Sequence, residues 1–120
     1  MRSDLLAWQW SLYTEGHRSR GNLLVHAVSQ PLFIAGCLEV LATPLVGVGG
    51  LLGLVSMAVA LALQGRGHKG EATSPVPFDG PLDFVRRFFA EQWVTFPRFV
   101  LSGRFARAWR EADPTPSAGS

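Results

Sequence analysis

Cysteine is nearly absent from this chain. Cys37 stands alone, so no intrachain disulfide can hold the fold together. Lying in an apolar stretch far from any cation, it reads as an inert thiol. Charge is missing from a whole region: from 21 to 65, a run of 45 residues, Glu39 is the only formally charged side chain. A helix in water carries a polar face, and this region has none to offer, which argues against a soluble single domain. A helical hairpin buried in a larger soluble core is no better, because 120 residues cannot wrap one. There is no P-loop, no Gly-x-Gly-x-x-Gly fingerprint and no Gly-x-Ser-x-Gly elbow, so nucleotide-driven, nicotinamide and serine-hydrolase chemistry lack support.

What is present fits a bilayer. A hydrocarbon core about 30 Å thick needs roughly 20 helical residues. The uncharged run is about twice that, with Thr43-Pro44 near its middle. It predicts two crossings, 23–42 and 45–63, joined by a tight turn and both α-helical, since backbone polar groups in lipid must pair internally. The run starts too late and is too long for a signal peptide. Arg18 and Arg20 precede it, Arg66 and Lys69 follow it, and the turn is uncharged. Both termini are therefore expected in the cytoplasm, with the protein in the inner membrane if it is bacterial. The expected fold class is all-α: a small integral membrane protein built on a two-helix transmembrane hairpin, one membrane domain over 1–111, and a disordered tail over 112–120.

The flanks read as helices at the membrane surface. Residues 3–17 form an amphipathic pattern with Ser3 as cap and Leu5, Trp8 and Leu12 at helical spacing. Gly21 is a stop for this helix and Asn22 a cap for the next. Gly49 and Gly53, then Ser56 and Ala60, repeat a small-residue spacing that suits packing within the hairpin or in a homo-oligomer. Gln30-Pro31 is expected to kink the first crossing. After the proline-rich stretch 73–81, a helix over about 81–100 starts at Pro81 and places Leu82, Val85, Phe89, Trp93, Phe96 and Val100 on an apolar stripe, with Pro97 bending or ending it. Arg86, Arg87 and Glu91 make a full third crossing costly, and a shallow one stays open as the alternative. Seven of the eight phenylalanines follow Pro77, and six arginines but one acid lie between 86 and 110. A basic, aromatic helix beside membrane crossings is expected to lie in the interface against anionic lipid headgroups. No nucleic-acid recognition fold is legible, so nucleic acid is not an expected partner.

Chemistry concentrates in three histidines. His17 and His26 are nine residues apart, about 180° on one straight helix, so they can share a site only if the helix breaks between them, as Gly21-Asn22 allows. Two crossings return the chain to its starting side and bring His68 to the same face. Three imidazoles at a low-dielectric boundary make a divalent-metal site. Glu71 is placed as a ligand or as a support for one, and Tyr13, one turn before His17, as a second support. The plainer alternative stays open: headgroup-level histidines, a belt tyrosine, a solvated glutamate and a capping asparagine.

The order Tyr13-x3-His17-x4-Asn22-x3-His26-x4-Pro31, then Gly67-His68-x2-Glu71-x3-Pro75 beyond the hairpin, resembles the fungal phytosphingosine-metabolising 2-hydroxy fatty acid dioxygenases and their bacterial relatives, of which this chain would be a divergent short member. The resemblance implies a membrane enzyme that holds Fe2+ through histidines and shortens long-chain 2-hydroxy acids by one carbon with O2. It makes His17, His26 and His68 the metal ligands, and Glu71 and Tyr13 catalytic. Arg18, Arg20, Arg66 or Lys69 would then pair with the substrate carboxylate. The rival readings are a non-catalytic membrane protein that binds lipid or a partner through its basic aromatic helix, and a metal site without oxygen chemistry.

Overall fold

The computed structural model describes residues 3–112, and among them all regular structure is helical. The tail expected to be disordered lies, Ala112 apart, outside the described residues. Helix α1, Leu5–Tyr13, is shorter than expected; it starts after Asp4 rather than Ser3 and has no side-chain cap. A connector, residues 14–19, leads to α2, Arg20–Leu41. The cap of α2 is Ser19, whose Oγ accepts the Asn22 N–H at 3.4 Å, so the break between His17 and His26 comes before Gly21-Asn22. Pro31 lies inside α2.

The second apolar segment starts later than the sequence suggests. Thr43–Val46 forms a single helical turn, α3, with Pro44 in its first turn, and Gly47 at φ 85° redirects the chain. A 3₁₀ turn, Val48–Leu52, then runs into α4, Gly53–Lys69. Segments Arg20–Leu41 and Val48–Lys69 have 22 residues each and are long and apolar enough to cross a membrane. At 1.5 Å per residue each is about 33 Å long.

These two helices run antiparallel, with Asn22 beside Gly67, Ser29 bonded to Gln64, and Gly36 against Gly53. The last contact needs both glycines: a Cβ on Gly36 would sit 2.6 Å from the Gly53 carbonyl oxygen, and one on Gly53 would overlap the Gly36 carbonyl. Gly53, buried Ala60 and Gly67 thus form a small-residue stripe one heptad apart. Gly49 faces open space, so the Gly49/Gly53 spacing is not the packing motif here.

The C-terminal helix is more central than expected. Helix α5, Pro81–Ala90, passes through a π turn, Glu91–Thr95, into α6, Phe96–Leu101. Gly103, at φ 85°, then turns the chain into α7, Arg104–Glu111. Pro97 does not end the helix, and the π turn is how the chain accommodates it. In that turn the Phe96 N–H reaches back five residues to the Glu91 carbonyl. The next such bond would need a Pro97 N–H, which proline lacks. The Gln92 carbonyl left over accepts from Gln30 Nε2 at 2.8 Å instead.

Many large apolar side chains face outward, and polar side chains share the interior with apolar ones. Of the apolar stripe read from the sequence, Leu82, Val85, Phe89, Trp93 and Val100 face outward and only Phe96 is buried. Asn22, His26, Ser29, Gln64, Gln92 and Thr95 are buried, while Leu45 is 91% and Leu101 87% exposed. One apolar cluster joins Tyr13, Leu23, Phe96, Phe99 and Ala108, and another joins Phe33, Cys37 and Ala60. The basic aromatic helix therefore closes over α1, α2 and α4 and does not simply lie beside them.

Candidate metal centre

Four separate stretches of backbone meet at one point. His17 sits in the connector after α1, His26 in the second turn of α2, and His68 in the last turn of α4. Their ring centroids are 4.6, 4.9 and 5.0 Å apart. The π turn adds Glu91, whose Oε2 lies 3.4 Å from His17 Nε2 and 3.3 Å from His26 Nε2. One donor atom from each of the four residues falls within 4.8 Å of all the others, a group that could hold a metal ion.

Hydrogen bonds on the far side of two rings decide what faces the gap. His17 Nδ1 lies 2.7 Å from the Tyr13 carbonyl oxygen, and His26 Nδ1 lies 3.0 Å from that of Asn22. A carbonyl only accepts, so each Nδ1 carries a proton and donates it. In a neutral ring Nε2 is then a bare lone pair, and the two lone pairs stand 3.3 Å apart beside a carboxylate oxygen. Such an arrangement is repulsive until a proton or a metal cation lies between the atoms. His68 adds a buried Nδ1 with no hydrogen-bond partner among the described residues.

Metal–nitrogen bonds near 2 Å put opposite ligands about 4 Å apart, so the observed spread needs only slight contraction. Three imidazoles and one carboxylate suit divalent ions of the first transition row. A six-coordinate ion on four protein atoms keeps two open positions, one fewer than the three-histidine set implied by the sequence.

Tyr13 supports two of the four donors. Its hydroxyl donates to Glu91 Oε2 at 2.7 Å, and its ring stacks on His17 with centroids 3.9 Å apart. Burial, and then the neighbouring Glu91 carboxylate, hold the phenol's pKa well above its ordinary value. Glu71, expected at or beside the metal, lies outside this group. Its Oε1 accepts the N–H groups of Arg18 and Ser19 at 3.0 Å each, and its Oε2 accepts Asn22 Nδ2 at 2.8 Å. It fastens the connector to the end of α4. Asn22 also donates to the Gly16 carbonyl at 3.3 Å, and its own carbonyl receives His26 Nδ1. Asn22 therefore orients the corner instead of capping α2.

A cavity of about 490 Å³ opens beside the centre. Tyr13, His17, His68 and Glu91 reach its wall, and Trp8, Leu12, Leu61, Phe84 and Phe88 line much of the rest. One side is the strap of residues 73–78, held down by Arg87, which donates to the Val76 and Pro77 carbonyls at 2.8 and 3.1 Å. Of the four cations read as substrate partners, Lys69 alone lines this cavity. Arg18 pairs with exposed Glu15, and Arg66 is exposed elsewhere. Arg20 donates to the Trp109 carbonyl at 3.0 Å and stacks on its ring.

Comparison with family models, curated proteins and solved structures finds no match. The site therefore rests on its own geometry. Glu91 is the candidate site residue the sequence reading missed, and its signal was present. It is the only acid between 84 and 110, in an otherwise basic and aromatic stretch. An ionisable side chain in such a segment is a functional candidate by default, whereas the sequence reading counted it only as an obstacle to a crossing.

Proposed function

We propose that this protein is an integral membrane oxygenase that binds ferrous iron through His17, His26, His68 and Glu91 and shortens 2-hydroxy fatty acids by one carbon. Helices α2 and α4 cross the bilayer as a hairpin with both termini cytoplasmic, in the inner membrane if the source is bacterial. The observation that carries the reading is the convergence of four donor atoms within 4.8 Å, two of them imidazole lone pairs fixed by Nδ1–H bonds to carbonyls. Outward leucines and valines on both long helices support the membrane placement. The substrate class comes from the resemblance carried by the Tyr13-to-Pro75 motif.

Bound ferrous iron would supply the one-electron chemistry through which O2 reacts with a closed-shell acid. The overall change balances without a reductant. One 2-hydroxy acid and one O2 give the acid one carbon shorter, CO2 and water, and the substrate's two terminal carbons provide the four electrons. The chain's own groups hold and orient. Tyr13 fixes the Glu91 carboxylate, and carbonyls 13 and 22 fix two rings. Lys69, at the exposed rim of the cavity, would pair with the substrate carboxylate. The acyl chain runs along the apolar side chains of Trp8, Leu61 and Phe88.

Metal analysis of anaerobically purified protein tests the reading. Near-stoichiometric iron is expected, together with O2 uptake on a long-chain 2-hydroxy acid and release of the shortened acid. Both are lost in His17→Ala, His26→Ala, His68→Ala and Glu91→Ala. Zinc without O2 uptake would replace the oxygenase with a non-redox metal site, and protein that takes up no metal would end the reading.

A further inference from the structure

Away from the metal centre, two arginines share one indole. Arg98 of α6 and Arg104 of α7 hold their guanidinium carbons 4.1 and 4.4 Å from the centre of the Trp10 ring. Trp10 is half-buried against the cluster of Tyr13, Leu23, Phe96, Phe99 and Ala108. Both arginines are exposed, and neither meets a carboxylate among the described residues. Arg107, one turn along α7, differs: Glu111 neutralises it at 2.9 Å.

Two like charges held against one ring repel, and an anion that both can reach would relieve the repulsion. A guanidinium resting against an aromatic ring carries its donors along its edge, the arrangement that binds phosphate oxygens in pairs. Apolar side chains on the same helices identify the anion's carrier. Leu6, one turn before Trp10, is exposed, as are Val100 and Leu101 just after Arg98. A phosphate attached to acyl chains satisfies both kinds of surface, whereas a nucleic acid or free phosphate leaves the leucines in water.

We infer that Arg98, Trp10 and Arg104 form a binding site for the phosphodiester of an anionic membrane lipid, which seats this end of the protein in the headgroup layer. The inference rests on the membrane placement proposed above but not on the metal or the oxygen chemistry.

Full-length protein in detergent, titrated with dihexanoyl phosphatidylglycerol and followed by native mass spectrometry, provides the test. One phosphatidylglycerol binds saturably, and dihexanoyl phosphatidylcholine and inorganic phosphate bind about tenfold more weakly or worse. Arg98→Gln and Arg104→Gln each weaken phosphatidylglycerol about fivefold, and more in combination. Arg107→Gln removes the same charge from a paired site and changes binding less than about twofold. Arg98→Lys with Arg104→Lys keeps the charge but loses the planar fork, so it too loses most of the selectivity, even if the glutamine pair folds poorly. Helical circular dichroism and the thermal unfolding midpoint of each variant report that the fold is intact. Equal weakening by Arg107→Gln, equally tight inorganic phosphate, or full binding by the lysine pair would each overturn the inference. Iron-free protein that still binds phosphatidylglycerol would count against the oxygenase alone.

Discussion

His17 and His26 face each other through their Nε2 atoms at 3.3 Å, while each Nδ1 is bonded to a carbonyl four residues earlier in its own chain segment. Each ring is oriented by its local backbone, so half of the donor set is in place within residues 13–26. His68 and Glu91 arrive from α4 and the π turn. The later two donors therefore depend on tertiary packing, and variants that disturb that packing are expected to affect them first.

Glu91→Gln is the sharpest single test of the fourth donor. The amide keeps the size of the side chain and can still accept the Tyr13 hydroxyl, but it removes the negative charge facing the lone pairs of His17 and His26. Metal affinity, measured by competition with a chelator, is expected to fall by at least the 10–100-fold typical of losing an outer supporting contact. An affinity within twofold of the native protein would remove Glu91 from the site.

Tyr13 is the only tyrosine in the chain, so tyrosinate absorbance reports on it alone. Its folded pKa is raised by burial and by Glu91. The folded state therefore keeps a proton that the unfolded state gives up near pH 10. The stability this contributes is complete below about pH 10 and is lost as pH rises beyond it. Alkaline titration of the metal-free protein should show no tyrosinate until the helical circular dichroism collapses, with both changes at the same pH. Tyrosinate forming near pH 10 in protein that is still helical would contradict the burial.

Much of this was legible in the sequence, for identifiable reasons. The uncharged run from 21 to 65 and the return of His68 to the face of His17 follow from hydropathy and topology, which need only residue order. The Gly36–Gly53 contact was not legible, because Gly49 and Gly53 have the same spacing pattern and only the packed helices show which one meets a neighbour. The outward stripe on α5 and α6 fits the interfacial helix expected there, but the burial of Phe96 and the packing of this segment over α1, α2 and α4 were not legible, because an apolar stripe has the same period whether it meets protein or lipid. Glu71 stood where a ligand would be expected, three residues after His68, yet α4 ends at Lys69 and turns that carboxylate toward the Arg18 and Ser19 amides.

Glu71→Ala separates structural support from ligation. The substitution strips acceptors from two backbone N–H groups and from Asn22 Nδ2. Leaving partly buried donors unpaired costs roughly 1–3 kcal/mol. Thermal unfolding should move to lower temperature, while metal stoichiometry at saturating metal stays unchanged. Loss of stoichiometry in a protein that remains folded would return Glu71 to the ligand set.

The π turn that carries Glu91 is tied down by two neighbouring glutamines. Gln64 and Gln92 exchange amide bonds at 2.8 and 2.7 Å, Gln64 also donates to Ser29 at 3.0 Å, and Gln30 takes the carbonyl that Pro97 leaves free. Gln92 is the residue after Glu91, and Gln64 lies one turn before His68 along α4. If the pair sets the register of Glu91, Gln64→Leu should weaken metal binding about tenfold in the native background. The same substitution should have much less effect in Glu91→Gln, because the group it positions has already lost its charge. The non-additivity of that double-mutant cycle is the readout, and equal effects in both backgrounds would reduce the glutamine pair to packing alone.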